Sequence, residues 1–229
     1  MNFEVPAARY DCFVTPIWRF PSDGSLDLGA IEAAIQAERA ADPTGTEVSN
    51  VGGWQSNEKY LYKKEAFQPL VGYLQQRATM VFQEWGFDFM GHMPVVNTMW
   101  ANINRRLNTN NLHHHWGFTL QNFNLLSGVF YVKCNQQSGA IKFVDERPSS
   151  KFVTEHSFPF VPSPTNFIGA SFAVQPSPGE MVMFPAWIEH KVDPSQDDSE
   201  RISMSFNLSL PKELEDWIHQ AKREQDKQE

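Results

Sequence analysis

Apolar positions along the chain change their period near residue 95. Upstream they recur at helical spacing. Leu28, Ile31 and Ile35 mark an amphipathic helix over 27–41, closed by Asp42-Pro43. Phe67, Val71, Leu74, Ala78, Val81, Phe82 and Trp85 form the stripe of a second helix over 64–85, where Pro69 is tolerable only in the first turn. The polar, Gly-bearing stretch 49–56 between them reads as a loop. Downstream, short runs rich in β-branched and aromatic residues alternate with polar or Gly/Pro turns, which predicts strands at 96–104, 126–133, 140–144, 168–174, 180–185 and 201–209. A mixed-charge helix over about 211–222 and a polar tail close the chain.

Antiparallel strands with helices outside one sheet predict a mainly β fold with flanking helices, a double-stranded β-helix or jelly roll. No linker, repeat or shift in composition divides the 229 residues, so one domain is expected. Its parts are an N-terminal strand with buttressing helices (1–94), the jelly-roll core (95–209) and a C-terminal helix and tail (210–229).

Composition narrows the setting. A hydrophobic content of 41% and a charged content of 20% suit a soluble globular protein. No apolar run approaches the ~18 to 20 residues that span a bilayer. The first thirteen residues, MNFEVPAARYDCF, lack the apolar core of a secretory signal, so a cytoplasmic protein without membrane attachment is expected. The net charge of −8 argues against nucleic acid as a partner. Cys12 and Cys134 make no disulfide framework and read as reduced thiols.

Candidate chemistry lies in the ordered set His113-His114-His115, Pro178-Gly179 leading into Met181–Phe184, His190, and Arg201-Ile202-Ser203. In a strand, residues two apart share a face, so His113 and His115 can address one ion while His114 points away. His190, behind an apolar strand and a short turn containing Trp187, is the third candidate ligand. Imidazole suits iron, zinc, copper and nickel. His114 in place of His115, or Asp145, remain alternatives for completing the site. From Arg201 to Leu208 the sequence alternates strictly. Ile202, Met204, Phe206 and Leu208 form an apolar face, and Arg201, Ser203, Ser205 and Asn207 a polar one. That polar face either meets solvent or lines a cavity, where the arginine fork can grip a carboxylate and a hydroxyl two residues on can add a bond. A hairpin through 193–198 is expected to bring Arg201 back beside His190.

With these residues in view, the chain resembles the 2-oxoglutarate- and Fe(II)-dependent oxygenases, in a bacterial and phage branch related in architecture to the prolyl hydroxylases. The resemblance runs through Ser49-Asn50, Gly53-Trp54-Gln55-Ser56, Trp100-Ala101-Asn102-Ile103, Ser127-Gly128-Val129-Phe130-Tyr131-Val132, Ser138-Gly139, Phe143-Val144-Asp145-Glu146-Arg147-Pro148, Pro178-Gly179 to His190, and Arg201 to Asn207. It implies a double-stranded β-helix that holds Fe(II) through the His113 and His190 positions and binds 2-oxoglutarate as co-substrate. Arg201 and Ser203 would take its distal carboxylate, with Tyr131 and Asn102 as further contacts. The implied activity is an Fe(II)/2-oxoglutarate-dependent dioxygenase that hydroxylates a small-molecule or peptide substrate and releases succinate and CO2. A homodimer remains open.

The chain departs from the superfamily in two places. His115 stands where that superfamily usually carries a carboxylate, and residues 116–125 read as an insertion able to serve as a lid. A halogenase is disfavoured because His115 is not small. Two other readings compete. One is a cupin-type three-histidine metalloenzyme that does not use 2-oxoglutarate, which would have no need of Arg201-x-Ser203. The other is a non-catalytic jelly-roll binding module, which would hold no metal.

Overall fold

The structure, a computed structural model, describes residues 12–116, 124–145, 147, 171–211 and 216. Helix α1 (Leu28–Ala41) starts where Asp27 caps it, the carboxylate accepting the Ala30 amide at 3.0 Å, and it buries Ile31 and Ile35. Helix α2 (Gln68–Glu84) is shorter than its stripe predicts, because Leu61–Lys63 and Glu65–Phe67 are 3₁₀ turns. Pro69 sits in the first turn. It has no amide hydrogen to give to the carbonyl four residues back, so α-helical bonding cannot run upstream through it.

The described strands are β1 (Trp18–Phe20), β2 (Asn50–Val51), β3 (Trp54–Gln55), β4 (Val95–Asn104), β5 (Thr109–His113), β6 (Leu126–Lys133), β7 (Ile141–Val144), β8 (Ser171–Val174), β9 (Met181–Pro185), β10 (Glu189–Val192) and β11 (Arg201–Ser209). They form two antiparallel sheets, β1-β9-β6-β11-β4-β3 and β2-β5-β10-β7-β8. This is the mainly β jelly roll with flanking helices that the alternation predicts.

The six-stranded sheet is buried on both faces. Its outer face, with Met99, Phe130, Met183, Met204 and Phe206, shares one apolar cluster with Ile31 and Ile35 of α1 and Leu70, Leu74 and Phe82 of α2. A fully buried side chain of this size stabilises the fold by roughly 1.5–3 kcal/mol. The inner face contributes Val129, Tyr131, Val182 and Phe184 to a second cluster, completed by Ile141, Phe143 and Val174 of the five-stranded sheet. Gly179, at φ 77°, makes the turn into β9, in a region that L side chains rarely adopt.

Three expectations change. The stretch 49–56 contains β2 and β3, which pair with β5 and β4 respectively. Strands β10 and β11 do not form a hairpin. β10 lies between β5 and β7 and β11 between β4 and β6, so the segment after His190 crosses from one sheet to the other. The turn after β9 is not packed by its own aromatic, since Trp187 is half exposed. The expected helix over 211–222, the start of the strand at 168 and most of 116–125 lie outside the described residues. Among the described residues, no helix is long and apolar enough to cross a membrane.

Candidate metal and anion site

The crossover turns the inner polar face of β11 toward the five-stranded sheet, and a cavity of about 40 Å³ lies between them. That exceeds the ~10–15 Å³ that one water occupies. His113 and His190 are backbone partners on β5 and β10, and the cavity reaches both. His115 lies two residues beyond the end of β5, its amide held by the Ala186 carbonyl at 3.0 Å. The ring atoms that His113, His115 and His190 offer to an ion lie within 4.8 Å of one another.

The hydrogen bonds on the far side of each ring decide what those atoms present. His113 Nδ1 lies 2.7 Å from the Asn111 carbonyl, and His190 Nδ1 lies 3.1 Å from the Ile188 carbonyl. A carbonyl only accepts, so both Nδ1 atoms carry the proton and both Nε2 atoms keep a lone pair. His115 Nδ1 lies 2.9 Å from Asn207 Oδ1, and its Nε2 lies 3.2 Å from His113 Nε2. With His115 Nδ1 as the donor to Asn207, the His115 and His113 Nε2 atoms would face one another as lone pairs, an arrangement that calls for a cation, and outer hydrogen bonds of this kind orient metal-binding histidines. The rings are walled by Phe184, 4.7 Å from His190, and Trp100, 5.4 Å from His115 (centroid distances).

Burial keeps these imidazoles neutral. His115 is pushed down to about 3 by desolvation and then by the neighbouring His113. His190 lies well below its ordinary value for the same first reason, with His115 and His113 adding to it. Desolvation also lowers His113. His114 is exposed and outside the cluster. Asp145 pairs with Arg147 at 2.6 Å and is not in the cluster among the described residues.

Across the cavity, Arg201 is 2% exposed and Ser203 is 1% exposed, so the polar face of β11 does not meet solvent. Arg201 Nη1 donates to Ser203 Oγ at 3.2 Å, while Arg201 Nε has no partner among the described residues. No carboxylate pairs with this guanidinium among them, and none lines the cavity. A buried, unpaired cation in a cavity asks for an anion. Asn102, the backbone partner of Ser203 on β4, lines the cavity and donates to Ser205 Oγ at 3.1 Å.

Tyr131, the partner of Ser203 on β6, is fully buried with its ring 5.0 Å from the Arg201 guanidinium, behind the residues that line the cavity. Its hydroxyl has no partner among the described residues, and burial pushes it up to about 12, against the pull of Arg201. Ser49, Asn110 and Ser205 also line the cavity, and Ser127 and Asn207 stand behind His115. None of the five was assigned a ligand or co-substrate role from the sequence. The alternation of β11 signals Ser205 and Asn207, and nothing in the sequence signals Asn110.

Residues 98–207 match the model of the family described as "Putative 2OG-Fe(II) oxygenase". No curated protein sequence matches the chain significantly. The fold is similar to that of a prolyl-4-hydroxylase from Pseudomonas putida, at 14% identity and a TM-score of 0.54, covering 85% of this chain and 92% of that one. It is similar to the non-heme alpha-ketoglutarate-dependent carbocyclase SnoK from nogalamycin biosynthesis, at 14% identity and a TM-score of 0.59, covering 85% and 79%. It is also similar to HygX from Streptomyces hygroscopicus, solved with nickel and 2-oxoglutarate bound, at 11% identity and a TM-score of 0.54, covering 86% and 83%.

Proposed function

We propose, from the match of residues 98–207 to the 2OG-Fe(II) oxygenase family and the shared fold, that the chain is a dioxygenase of that family holding Fe(II) on His113, His115 and His190 and 2-oxoglutarate on Arg201. The observation that carries this reading is the pairing, in one cavity, of three converging imidazoles with a buried arginine that has no counter-ion among the described residues. Bound there, the metal and co-substrate would supply an oxidising centre with dioxygen as the oxidant, one oxygen atom ending in succinate as 2-oxoglutarate loses CO2 and the other in the hydroxylated second substrate.

The chain's own residues do the positioning. The Nδ1–H bonds to backbone carbonyls hold the His113 and His190 rings in the ligating tautomer. Arg201 presents its fork to the distal carboxylate, and Ser203 adds a hydroxyl. Tyr131 packs its ring against the guanidinium from behind the cavity lining, and its hydroxyl, without a partner among the described residues, would be a further contact for the same carboxylate. Asn102 stands beside them on β4. Three neutral imidazoles would cancel none of a bound ion's charge, so His113, His115 and His190 would leave that charge, together with Arg201, to favour an anionic co-substrate. Phe184, Val129 and Trp100 supply the apolar part of the cavity wall. The substrate is a small molecule or a peptide.

A cupin-type three-histidine enzyme would share the imidazoles but would leave Arg201 buried and unexplained. The test is 2-oxoglutarate binding and succinate formation with Fe(II), comparing wild type with Arg201→Ala. Binding by the wild type and a loss of at least ~10-fold in the variant are expected for a charge-assisted bidentate contact. Tight Fe(II) binding without 2-oxoglutarate binding would move the assignment to the cupin class.

A further inference from the structure

The third ligand is a histidine past the end of its strand, and what holds its ring is a circuit of side chains that returns to its own backbone. Asn124 Nδ2 donates to the His115 carbonyl at 2.9 Å. Asn97 Nδ2 donates to Asn124 Oδ1 at 2.7 Å, and the Thr98 hydroxyl is directed at Asn97 Oδ1 at 3.4 Å. Thr98 Oγ1 accepts from Asn207 Nδ2 at 2.8 Å. That leaves Asn207 Oδ1 to accept from the Ser127 hydroxyl at 2.7 Å and from His115 Nδ1 at 2.9 Å.

The direction of the circuit is not free. A carbonyl only accepts, so Asn124 must turn its nitrogen to His115 and its oxygen to Asn97. Asn97 then donates to Asn124 and accepts from Thr98. With its hydrogen so used, Thr98 accepts from Asn207. Each step fixes the next, and the last leaves an acceptor beside His115 Nδ1. An amide turned the other way would put a donor there, move the ring proton to Nε2 and block ligation.

Resting on the three-histidine reading of the site, we infer that Asn207 is the positioning residue for the third ligand, holding His115 as its Nδ1–H tautomer so that Nε2 is available to the metal. Asn207 is 6% exposed and Ser127 is fully buried, so water does not replace this contact. The side chains on the circuit come from β4, β6, β11 and the segment leading into β6, so the tautomer depends on both edges of β11 being paired. Asn207 touches no reacting atom, and its action is entirely through His115.

The experiment uses Co(II) as the probe, titrated spectroscopically into metal-free full-length protein. Asn207→Ala is expected to weaken Co(II) binding by about 10–100-fold, the usual cost of removing an outer partner of a metal ligand. Asn207→Asp keeps an acceptor at the same place and is expected to stay within about 3-fold of wild type, although it loses the donor to Thr98. Asn207→Leu fills much the same space without an acceptor and is expected to lose as much Co(II) affinity as Asn207→Ala; a role in packing alone would leave Asn207→Leu near wild type, and that result overturns the inference. Nitrogen NMR of His115 in the metal-free wild type reads the tautomer without any substitution. The Nδ1–H form is expected, and the Nε2–H form overturns the inference. A wild type that binds no Co(II) removes the underlying metal reading instead, and is told apart by failing before any variant is compared.

Discussion

At the scale of single residues, the end of the cavity proposed for the co-substrate has two groups without partners among the described residues, and each makes a separable prediction. The Arg201 Nε–H is buried and unpaired. Lysine would keep the charge but offer a point donor in place of a planar fork. Arg201→Lys is therefore expected to raise the 2-oxoglutarate Kd at least ~10-fold and leave Co(II) affinity unchanged, as isothermal calorimetry would show. Equal loss of both ligands would mean that the residue supports the whole site and does not clamp one carboxylate. Tyr131 is the informative companion, because its buried hydroxyl bonds to nothing among the described residues. Removing an unsatisfied hydroxyl releases a desolvation cost, so Tyr131→Phe should leave the ligand-free protein as stable as wild type or more stable by about 1 kcal/mol. The same change should weaken 2-oxoglutarate binding by the worth of one hydrogen bond, roughly 0.5–1.5 kcal/mol, or a few-fold. Opposite signs in the two measurements distinguish a ligand contact from a packing residue.

At the scale of elements, β11 carries both halves of the molecule. Its apolar face is packed beneath α1 and α2 and its polar face lines the cavity, so an error in its register would expose one and bury the other. Gly128 on β6 guards that register. A Cβ there would overlap the ring of Phe206, and the Val182 carbonyl closes the other side. Gly128→Ala is expected to destabilise the protein by about 1–3 kcal/mol in urea unfolding, the usual cost of overpacking. Adding Phe206→Leu should recover part of the loss. β11 was legible because strict alternation over eight residues has no other economical reading. β2 and β3 were not, since two-residue strands offer no period to detect. β5 reads Thr-Asn-Asn-Leu-His, a composition typical of turns, and becomes a strand only because β2 and β10 offer it partners on both sides. The same limit applies to the site. Residue types pointed to the histidines and Arg201, but Asn207 meets His115 across 92 positions of chain, and no local pattern encodes that contact. The misplaced hairpin has the same origin. The loop after His190 is good turn sequence, and only the pairing of whole sheets shows that it crosses between them.

At the scale of the molecule, one buried and two half-buried neutral imidazoles would tie stability, acidity and metal binding together. In the unfolded chain each titrates near 6.5, whereas in the fold His115 is held at about 3 by burial, with His190 well below and His113 also below the ordinary value. Below pH 6.5 the unfolded chain therefore takes up protons that the folded chain refuses, and stability falls as pH falls. Each refused proton contributes at most about 1.4 kcal/mol per pH unit, so the cluster gives a slope of at most about 4 kcal/mol per unit. The carboxylates of Glu200 and Asp197 are lowered by hydrogen bonds from Arg105, Arg39 and Gln36, and from Asn135 and Ser199 respectively. Their contributions persist to lower pH and are lost only below about 4.5. Urea unfolding of metal-free protein at pH 7.5, 6.0 and 5.0 should thus show a steady loss that precedes the carboxylate range. A flat profile there would mean that the fold accepts the protons and that the cluster is not sealed. The same neutrality governs the metal. Three ordinary imidazoles at pH 6.0 would release roughly two protons when an ion displaced them. This site has already excluded those protons, so Co(II) binding at pH 6.0 should release fewer than one, read by calorimetry in buffers of different ionisation enthalpy. Its Kd should accordingly change less than about 3-fold between pH 7.5 and 6.0, because folding has already done the deprotonation that metal binding otherwise requires.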